Sequence, residues 1–272
     1  MPVAEITPAS TVMLVRDAQP SPEVLMLVRN VKSEVFPNLS VFPGGKVDDD
    51  DRRTARRLSG ISEAEAAAAI PDLDPELALS FFVAAIRETY EESGLVLARR
   101  RGERDLVDAG LAREMAPFRL AVQKHEQPFG ELIEKWDLDL AGDRLAVHAR
   151  WVTPELMKHR FDTLFLTAVA PAGQLAGHDG VESSDASWLR PEDALCEGQE
   201  RRRHVIFPTK RNLETLCGYG DAEAILASSR ARSIQKIQPR VRQIEGKPYL
   251  TIPEDAGYEQ TREPIDGGNL PR

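Results

Sequence analysis

Residues 74–94 carry the strongest local signal in the chain, and any fold of this sequence has to accommodate the helix that they predict. Asp74 is a good N-cap, Pro75 suits the first helical position, and Gly94 is a natural residue just past the last turn. Apolar residues recur between these ends at roughly helical spacing: they are Leu77, Phe81, Ala84, Ala85 and Tyr90. The interval is therefore predicted to be an amphipathic helix.

The last turns of this helix concentrate carboxylates. Glu88, Glu91 and Glu92 stand at i, i+3 and i+4, which stacks them on one face within about one turn. Like charges at this spacing repel each other, and the negative end of the helix dipole disfavours them further. Two explanations are open: a solvated acidic face, or a divalent cation that needs clustered oxygen ligands. The dipole favours a cation arriving from outside the helix.

The composition is that of an ordinary soluble globular protein, with 42% hydrophobic and 29% charged residues among 272. The net charge of −9 argues against a nucleic-acid partner, because such binding depends on neutralising phosphates. No apolar run is long enough to span a bilayer, and residues 1–17 lack a signal-peptide pattern. We therefore expect a cytoplasmic protein without a membrane partner.

Strand and helix signals alternate along the rest of the chain. Strands are predicted at 11–17, 23–29, 144–152, 160–170 and 186–189, helices at 62–70, 103–140 (interrupted at 128–130), 191–195 and 207–231, and a hairpin at 242–252. A tight loop is predicted at 41–46, where Pro43, Gly44 and Gly45 follow a short apolar piece. This mixture indicates one α/β or α+β core.

Three segments taken together, GGK at 44–46, Asp51 and RETYEESGL at 87–95, resemble the signature of the Nudix hydrolases, G-x5-E-x7-R-E-U-x-E-E-x-G-U, where U is apolar. Asp51 stands in the position of the first glutamate. Residues 52–86 separate the two halves of the motif, where the signature has only seven residues. This interruption resembles one subgroup, which includes a mammalian coenzyme A diphosphatase, and the similarity extends over about residues 10–255.

The resemblance implies an α/β/α sandwich with a mixed sheet, a helical insertion and a C-terminal helical extension. We place a single domain at 1–255, with one insertion at 52–86 inside the motif and a helical one at 103–140. Residues 256–272 are predicted to be a tail. An insert at 52–86 can leave the core at low entropic cost if its two ends meet.

The resemblance also implies site residues. Glu88, Glu91 and Glu92 are expected to bind Mg2+ or Mn2+, since clustered carboxylates with waters and phosphates suit such ions. Glu91, Glu92 and Arg87 are expected to be catalytic. Arg87 would act by orienting a neighbouring glutamate through a bidentate pair.

Other residues carry open alternatives. Gly44 and Gly45 would let the backbone approach the helix and the phosphates, while Lys46 either touches phosphate or is an exposed loop residue. Glu182 is a candidate general base or further metal ligand, or else an ordinary loop acid. The acidic run at 48–51 is interpreted as solvated rather than as a second metal site. The role of Asp51 in the metal cluster stays open because aspartate is shorter than glutamate.

Nudix enzymes that act on coenzyme A commonly show an additional pattern before FPGG. This chain keeps Leu25 and Arg29 of that pattern, and Arg29 is therefore a candidate substrate-binding residue. It has Met26, Leu27, Asn30, Glu34 and Asn38 at other positions of the pattern. Glu34 replaces an arginine, which weakens the assignment to coenzyme A.

The function implied is metal-dependent hydrolysis of a diphosphate linkage in a nucleoside diphosphate joined to another moiety, with coenzyme A or an acyl-coenzyme A as one substrate class. The alternative is a Nudix-fold module that binds a nucleotide metabolite without hydrolysing it. A pure binder has no need for every catalytic carboxylate. A homodimer is an expectation at the level of the family resemblance only.

Overall fold

A computed structural model describes residues 5–30, 38–178 and 181–265. In chain order the strands are β1 (Ile6–Arg16), β2 (Glu23–Arg29), β3 (Ser40–Val41), β4 (Gly44–Lys46), β5 (Leu58–Ser59), β6 (Ala98–Arg100), β7 (Leu138–Ala141), β8 (Leu145–Val152), β9 (Arg160–Val169), β10 (Ser183–Leu189), β11 (Lys236–Ile237), β12 (Arg240–Ile244), β13 (Lys247–Thr251) and β14 (Arg262–Pro264). The α-helices are α1 (Asp49–Thr54), α2 (Glu63–Ala69), α3 (Pro75–Ser93), α4 (Ala109–Met115), α5 (Arg119–Gln123), α6 (Phe129–Lys135), α7 (Pro191–Gln199), α8 (Phe207–Glu214) and α9 (Ala222–Arg230). None of the described helices is long and apolar enough to cross a membrane.

The main sheet is mixed and centres on β1. Its order is β10-β2-β1-β9-β8-β11, with β3 beside β2 and β4 beside β1. β1 runs parallel to β9 and antiparallel to both β2 and β4. On one side of β1, Val15 pairs with Val24 of β2, whereas Ser10 pairs with Gly45 of β4. The strand thus changes partner along its length, and this change brings β4 next to the sheet centre.

Alternating residues of β1 divide the interior into two layers. Val12 and Leu14 pack into the core that contains α3, while Met13 and Val15 pack into the core that contains residues of α7, α8 and α9. Side chains of a strand alternate between faces, so one apolar strand serves both cores. The result is the α/β/α sandwich with a mixed sheet that the sequence predicts, with helices of the C-terminal extension forming the second layer.

Helix α3 has the predicted ends but not the predicted amphipathic character. The Asp74 side chain accepts a hydrogen bond from the Glu76 N–H, and Gly94 adopts a left-handed φ of 77°. Every residue from Ala78 to Ser93 is buried, however. The 103–140 insertion contributes to this burial: the Tyr90 hydroxyl donates to the Met115 carbonyl at 2.7 Å. A helix that is covered on all sides has no face left in water, so the spacing of its apolar residues alone does not reveal its full burial.

Three further predictions need correction. GGK at 44–46 forms β4 rather than a loop, because its backbone pairs with residues 9–11 of β1. The end of the 103–140 insertion, predicted to be helical, contributes β7, which pairs with β5 and β6. The packed chain also continues past 255: β14 pairs with β13, and Tyr258 is buried with its hydroxyl donating to Asn212 Oδ1 at 2.6 Å.

The 52–86 interval folds back on itself. It holds the end of α1, a 3-10 turn at Ala55–Arg57, β5, α2 and the first part of α3. The predicted capping box of α2 is confirmed, since the side chains of Ser62 and Glu65 each accept the other's backbone N–H. Both ends of the interval meet at an ion pair of 2.8 Å between Arg87 Nε and Asp51 Oδ1. The two separated halves of the motif are therefore adjacent in the fold.

Candidate active site

The Arg87 guanidinium is the centre of the site. It donates to both carboxylate oxygens of Asp51, at 2.8 and 2.9 Å, from Nε and Nη2. Its Nη1 donates to Glu88 Oε1 at 2.8 Å and to Glu91 Oε1 at 3.1 Å, and Nη2 also donates to the Lys46 carbonyl at 2.8 Å. A planar guanidinium with five N–H donors can fix several acceptors at once. Arg87 thereby joins α1, β4 and the last turns of α3.

Strand β4 fixes the remaining glutamate. The Gly44 N–H donates to Glu92 Oε2 at 2.8 Å. A Cβ at Gly45 would lie 2.2 Å from Glu88 Oε1, far inside contact distance, so any other residue there would displace the Glu88 carboxylate from its place beside the strand. The glycine pair thus serves the close backbone approach that the sequence predicts, although from a strand.

Burial disfavours the charged forms of the carboxylates around Arg87. The side chain of Glu88 is 10% exposed and that of Glu91 is 6% exposed. Burial, partly offset by Arg87, raises the pKa of Glu88 to about 8 and that of Glu91 to about 7. Burial and the nearby Glu88 raise the pKa of Glu92 well above its ordinary value, and burial raises the pKa of Asp51 to about 6 despite its pairing with Arg87. The cluster therefore holds more negative charge than Arg87 alone balances.

This donor set fits a divalent cation. Carboxylate oxygens are the ligands that Mg2+ and Mn2+ prefer, and an added cation would stabilise the charged carboxylates that burial disfavours. Among the described residues no group of three or more His, Cys, Asp or Glu side chains is preassembled as a metal site. Arg87 and the Gly44 amide engage oxygens of Glu88, Glu91 and Glu92 instead. Each carboxylate still has a second oxygen or lone pairs with which to bind an ion.

The other candidate residues lie around this cluster. Arg29 ends β2, and its positive charge acts on Glu92 by lowering the pKa of that carboxyl against burial and the neighbouring acids. Glu182 is exposed, and its charge acts to raise the pKa values of Glu91 and Glu92. The Asn30 N–H donates to the Glu182 carbonyl at 2.7 Å, which ties these two segments together. The Lys46 side chain is exposed, and the Glu34 position lies outside the described residues.

The structure corrects the sequence interpretation at Asp51 and adds Arg119 to the site. Asp51 is 1% exposed and pairs with Arg87, so the solvated interpretation of the 48–51 run is wrong for this residue. The capping-box spacing of Asp48 and Asp51 could have indicated a helix start there. Arg119 of the insertion donates to the Glu91 carbonyl at 2.6 Å and to the Gly177 carbonyl at 2.8 Å. It supplies a cation at the end of α3, where the dipole favours one, and no local pattern predicts this contact.

Comparison with known proteins agrees with the geometry. The profile of the NUDT19 Nudix domain family matches residues 62–210, which is more than half of the chain, and the chain belongs to this family. It is thus a Nudix pyrophosphohydrolase.

Individual relatives are more distant. The chain is 22% identical to the acyl-coenzyme A diphosphatase NUDT19 of Xenopus laevis, over 88% of this chain and 72% of that protein. It is 25% identical to the putative nudix hydrolase 7 of Caenorhabditis elegans, over 64% of this chain and 48% of that protein. A crystal structure of a Nudix hydrolase from Alicyclobacillus acidocaldarius superimposes with a TM-score of 0.67 at 24% identity, covering 82% of this chain and 96% of that one. This superposition confirms the fold.

Proposed function

We propose that this enzyme hydrolyses the diphosphate linkage of a nucleoside diphosphate joined to another moiety, that its substrate class is coenzyme A or an acyl-coenzyme A, and that it uses Mg2+ or Mn2+. The observation that carries the proposal is the convergence of Glu88, Glu91 and Glu92 on Arg87 and on the Gly44 amide. The similarity to the acyl-coenzyme A diphosphatase NUDT19 supports the substrate class.

Glu88, Glu91 and Glu92 would hold the ion in this proposal. A bound divalent cation would neutralise charge on the diphosphate oxygens and acidify the attacking water. Arg87 orients Glu88 and Glu91 by donating to one oxygen of each, and Asp51 fixes Arg87 from the other side. Such supporting contacts are worth about 10–100-fold in affinity or activity in metal enzymes.

The substrate anions would lie at the edge of this cluster. Arg29, at the end of β2, places a cation there, where it would attract phosphate oxygens. The side chain of Lys46 is exposed on the opposite face of the sheet. Glu182 lies close enough to influence Glu91 and Glu92 and is exposed to water, which suits a general base that takes a proton from the attacking water. A homodimer remains part of the proposal, and light scattering of the purified protein tests it.

The test is a phosphate-release screen with Mg2+ and Mn2+ over coenzyme A, acyl-coenzyme A, ADP-ribose, NADH, diadenosine polyphosphates and nucleoside triphosphates. Glu92→Gln should lower turnover on the order of a hundredfold to a thousandfold, since it removes a charge beside the reacting phosphates. The amide oxygen of the glutamine can still accept the Gly44 N–H, so the melting temperature should be retained.

Glu76→Gln is the matched control, because Glu76 is exposed at the start of the same helix. Unchanged turnover in Glu92→Gln would contradict the assignment of the site. Cleavage of a different substrate class by the wild type would leave the site in place and replace the substrate. Absence of turnover, with a nucleotide raising the melting temperature, would favour the non-hydrolysing alternative.

A further inference from the structure

An apolar cavity lies on the face of the main sheet opposite α3. Its volume is about 170 Å3, and its walls include Trp151 of β8, Thr163 of β9, Ile206 and Leu250 of β13. Among the described residues that line it there is no Asp, Glu, Lys, Arg or His. The indole N–H of Trp151 already donates to the Tyr258 hydroxyl at 3.2 Å. The cavity therefore offers apolar contact rather than sites for charged groups.

The strand register places this cavity on the side of the sheet to which Lys46 projects. Ala9 of β1 pairs with Lys46 on one side and with Thr163 on the other. Residues paired across neighbouring strands project to the same face, and adjacent strands lie about 4.8 Å apart. Lys46 and the cavity-lining Thr163 thus share a face and are separated by two strand spacings, about 10 Å.

The cavity wall that contains Ile206 and Phe165 is also connected to the segment that precedes β4. The Ser40 N–H donates to the His204 carbonyl at 2.8 Å, which anchors β3 to the segment that carries Ile206. The Phe42 ring packs edge-on against Phe165, another cavity residue, with centroids 6.5 Å apart. Phe42 stands two residues before Gly44, the first residue of β4. The Phe42–Phe165 contact therefore connects the cavity wall to β4.

The size and chemistry of the cavity select its occupant. Pockets for drug-sized ligands usually measure about 300–1,000 Å3, so 170 Å3 is small for a nucleotide. A phosphate or a charged peptide would find no counter-charge in the lining, and burying it there without a partner is costly. A narrow alkyl chain satisfies both the volume and the apolar walls.

We propose that this cavity binds the fatty acyl chain of an acyl-coenzyme A; this proposal rests on the function proposed above and makes the acylated form the preferred substrate. The pantetheine arm of such a molecule separates its diphosphate from its acyl chain, so the two groups can occupy separate subsites. The diphosphate lies at Glu88, Glu91 and Glu92, and the arm passes the exposed Lys46.

The kinetic test compares free coenzyme A with acetyl-, butyryl-, octanoyl- and palmitoyl-coenzyme A. Each methylene that enters the cavity should raise kcat/KM by about fourfold until the cavity is full. Met157→Glu places a carboxylate in the lining, whereas Leu156→Glu makes the same change at the adjacent residue, which is 82% exposed and outside the lining. We expect Met157→Glu to reduce the advantage of octanoyl- over free coenzyme A by at least about tenfold, with hydrolysis of free coenzyme A unchanged in both variants.

A chain-length preference that survives Met157→Glu, or that is absent from the wild type, overturns the acyl site. A binding measurement separates this failure from failure of the proposed function. Metal-free protein is titrated with octanoyl-coenzyme A and with free coenzyme A by calorimetry, so no turnover is needed. Tighter binding of the acyl form, lost in Met157→Glu and kept in Leu156→Glu, supports the cavity even if none of these compounds is cleaved; equal binding of both compounds overturns it.

Discussion

Two buried arginines, Arg87 and Arg150, each pair with an aspartate in the same way, yet their surroundings differ. Arg150 donates to both oxygens of Asp162, at 2.9 and 2.7 Å, and the ammonium of Lys236 lies 3.9 Å from the same carboxylate. Arg87 donates to both oxygens of Asp51 but also to Glu88 and Glu91. A single carboxylate meets the first arginine, whereas several carboxylates surround the second.

This difference distinguishes the structural ion pair of Arg150 and Asp162 from the candidate active site around Arg87. Burying charge is costly, and the Arg150 pair limits that cost by matching opposite charges and satisfying their hydrogen bonds. The cluster around Arg87 has more carboxylates than this one arginine can neutralise. Burial of Glu88 and Glu91 therefore disfavours their charged forms and raises their pKa values. An unbalanced buried cluster of this kind is more readily explained by a ligand of opposite charge than by stability.

The largest expected effect comes from removing each arginine. Arg87→Met should lower the free energy of unfolding by about 3–5 kcal/mol, since it leaves buried carboxylates unpaired. Arg150→Met should lower it by less, since Lys236 stays near the half-buried Asp162. Only Arg87→Met should also abolish turnover in the fraction that remains folded, because only Arg87 orients Glu88 and Glu91. Urea denaturation measures the free energy of unfolding, and kinetics corrected for the folded fraction measure turnover. Equal loss of turnover in both variants would contradict a specific role of Arg87 in the active site.

Gly45→Ala should give a smaller, more selective effect. The added methyl group would have to displace the Glu88 carboxylate, which lies 2.2 Å from the position of a Cβ. We expect kcat to fall about 10–100-fold, as when supporting contacts of a metal ligand are lost, at a cost in stability of about 1–3 kcal/mol. Gly220→Ala is the control, since nothing lies within 4 Å of a Cβ there. Normal kcat in Gly45→Ala would show that the position of Glu88 is not critical.

The smallest expected effect is on thermal stability as a function of pH. Because the pKa values of Glu88 and Glu91 rise from 4.5 to about 8 and about 7, the folded protein holds protons that the unfolded chain releases. Metal-free stability should therefore fall as pH rises from about 4.5 to about 8. Mg2+ replaces those protons, so it should raise the melting temperature by more at about pH 8 than at about pH 5.5. A shift of equal size at both pH values would argue against binding at these carboxylates.

The sequence predicts the parts of the site that depend on local spacing. The ends of α3 and the stack of Glu88, Glu91 and Glu92 follow from residue type and interval, whereas the approach of Gly45 is implied by the family resemblance. The contacts of Arg119 and Asp51 do not, because they depend on how the insertion and α1 pack against α3. Tertiary packing also explains why α3 is buried all round although its apolar residues suggest one face.

Strand β4 is another element whose structure depends on contacts that are distant in the sequence. Pro43, Gly44 and Gly45 have the composition of a loop, and nothing near them in the sequence indicates the pairing partner. Residues 9–11 of β1 convert the segment into a strand by backbone pairing across more than thirty positions. Long-range pairing of this kind is not encoded in the local propensity of glycine.

A titration with Mn2+, followed by electron paramagnetic resonance of the free ion, tests most directly whether the unbalanced cluster is a cation site. Wild-type protein and Asp162→Asn should bind Mn2+ with equal affinity, because Asp162 belongs to the balanced pair. Glu88→Gln and Glu92→Gln should each weaken binding by at least about tenfold, since each removes one charged ligand. Unweakened binding in both glutamine variants, or weakened binding in Asp162→Asn alone, would contradict the assignment of the metal to Glu88, Glu91 and Glu92.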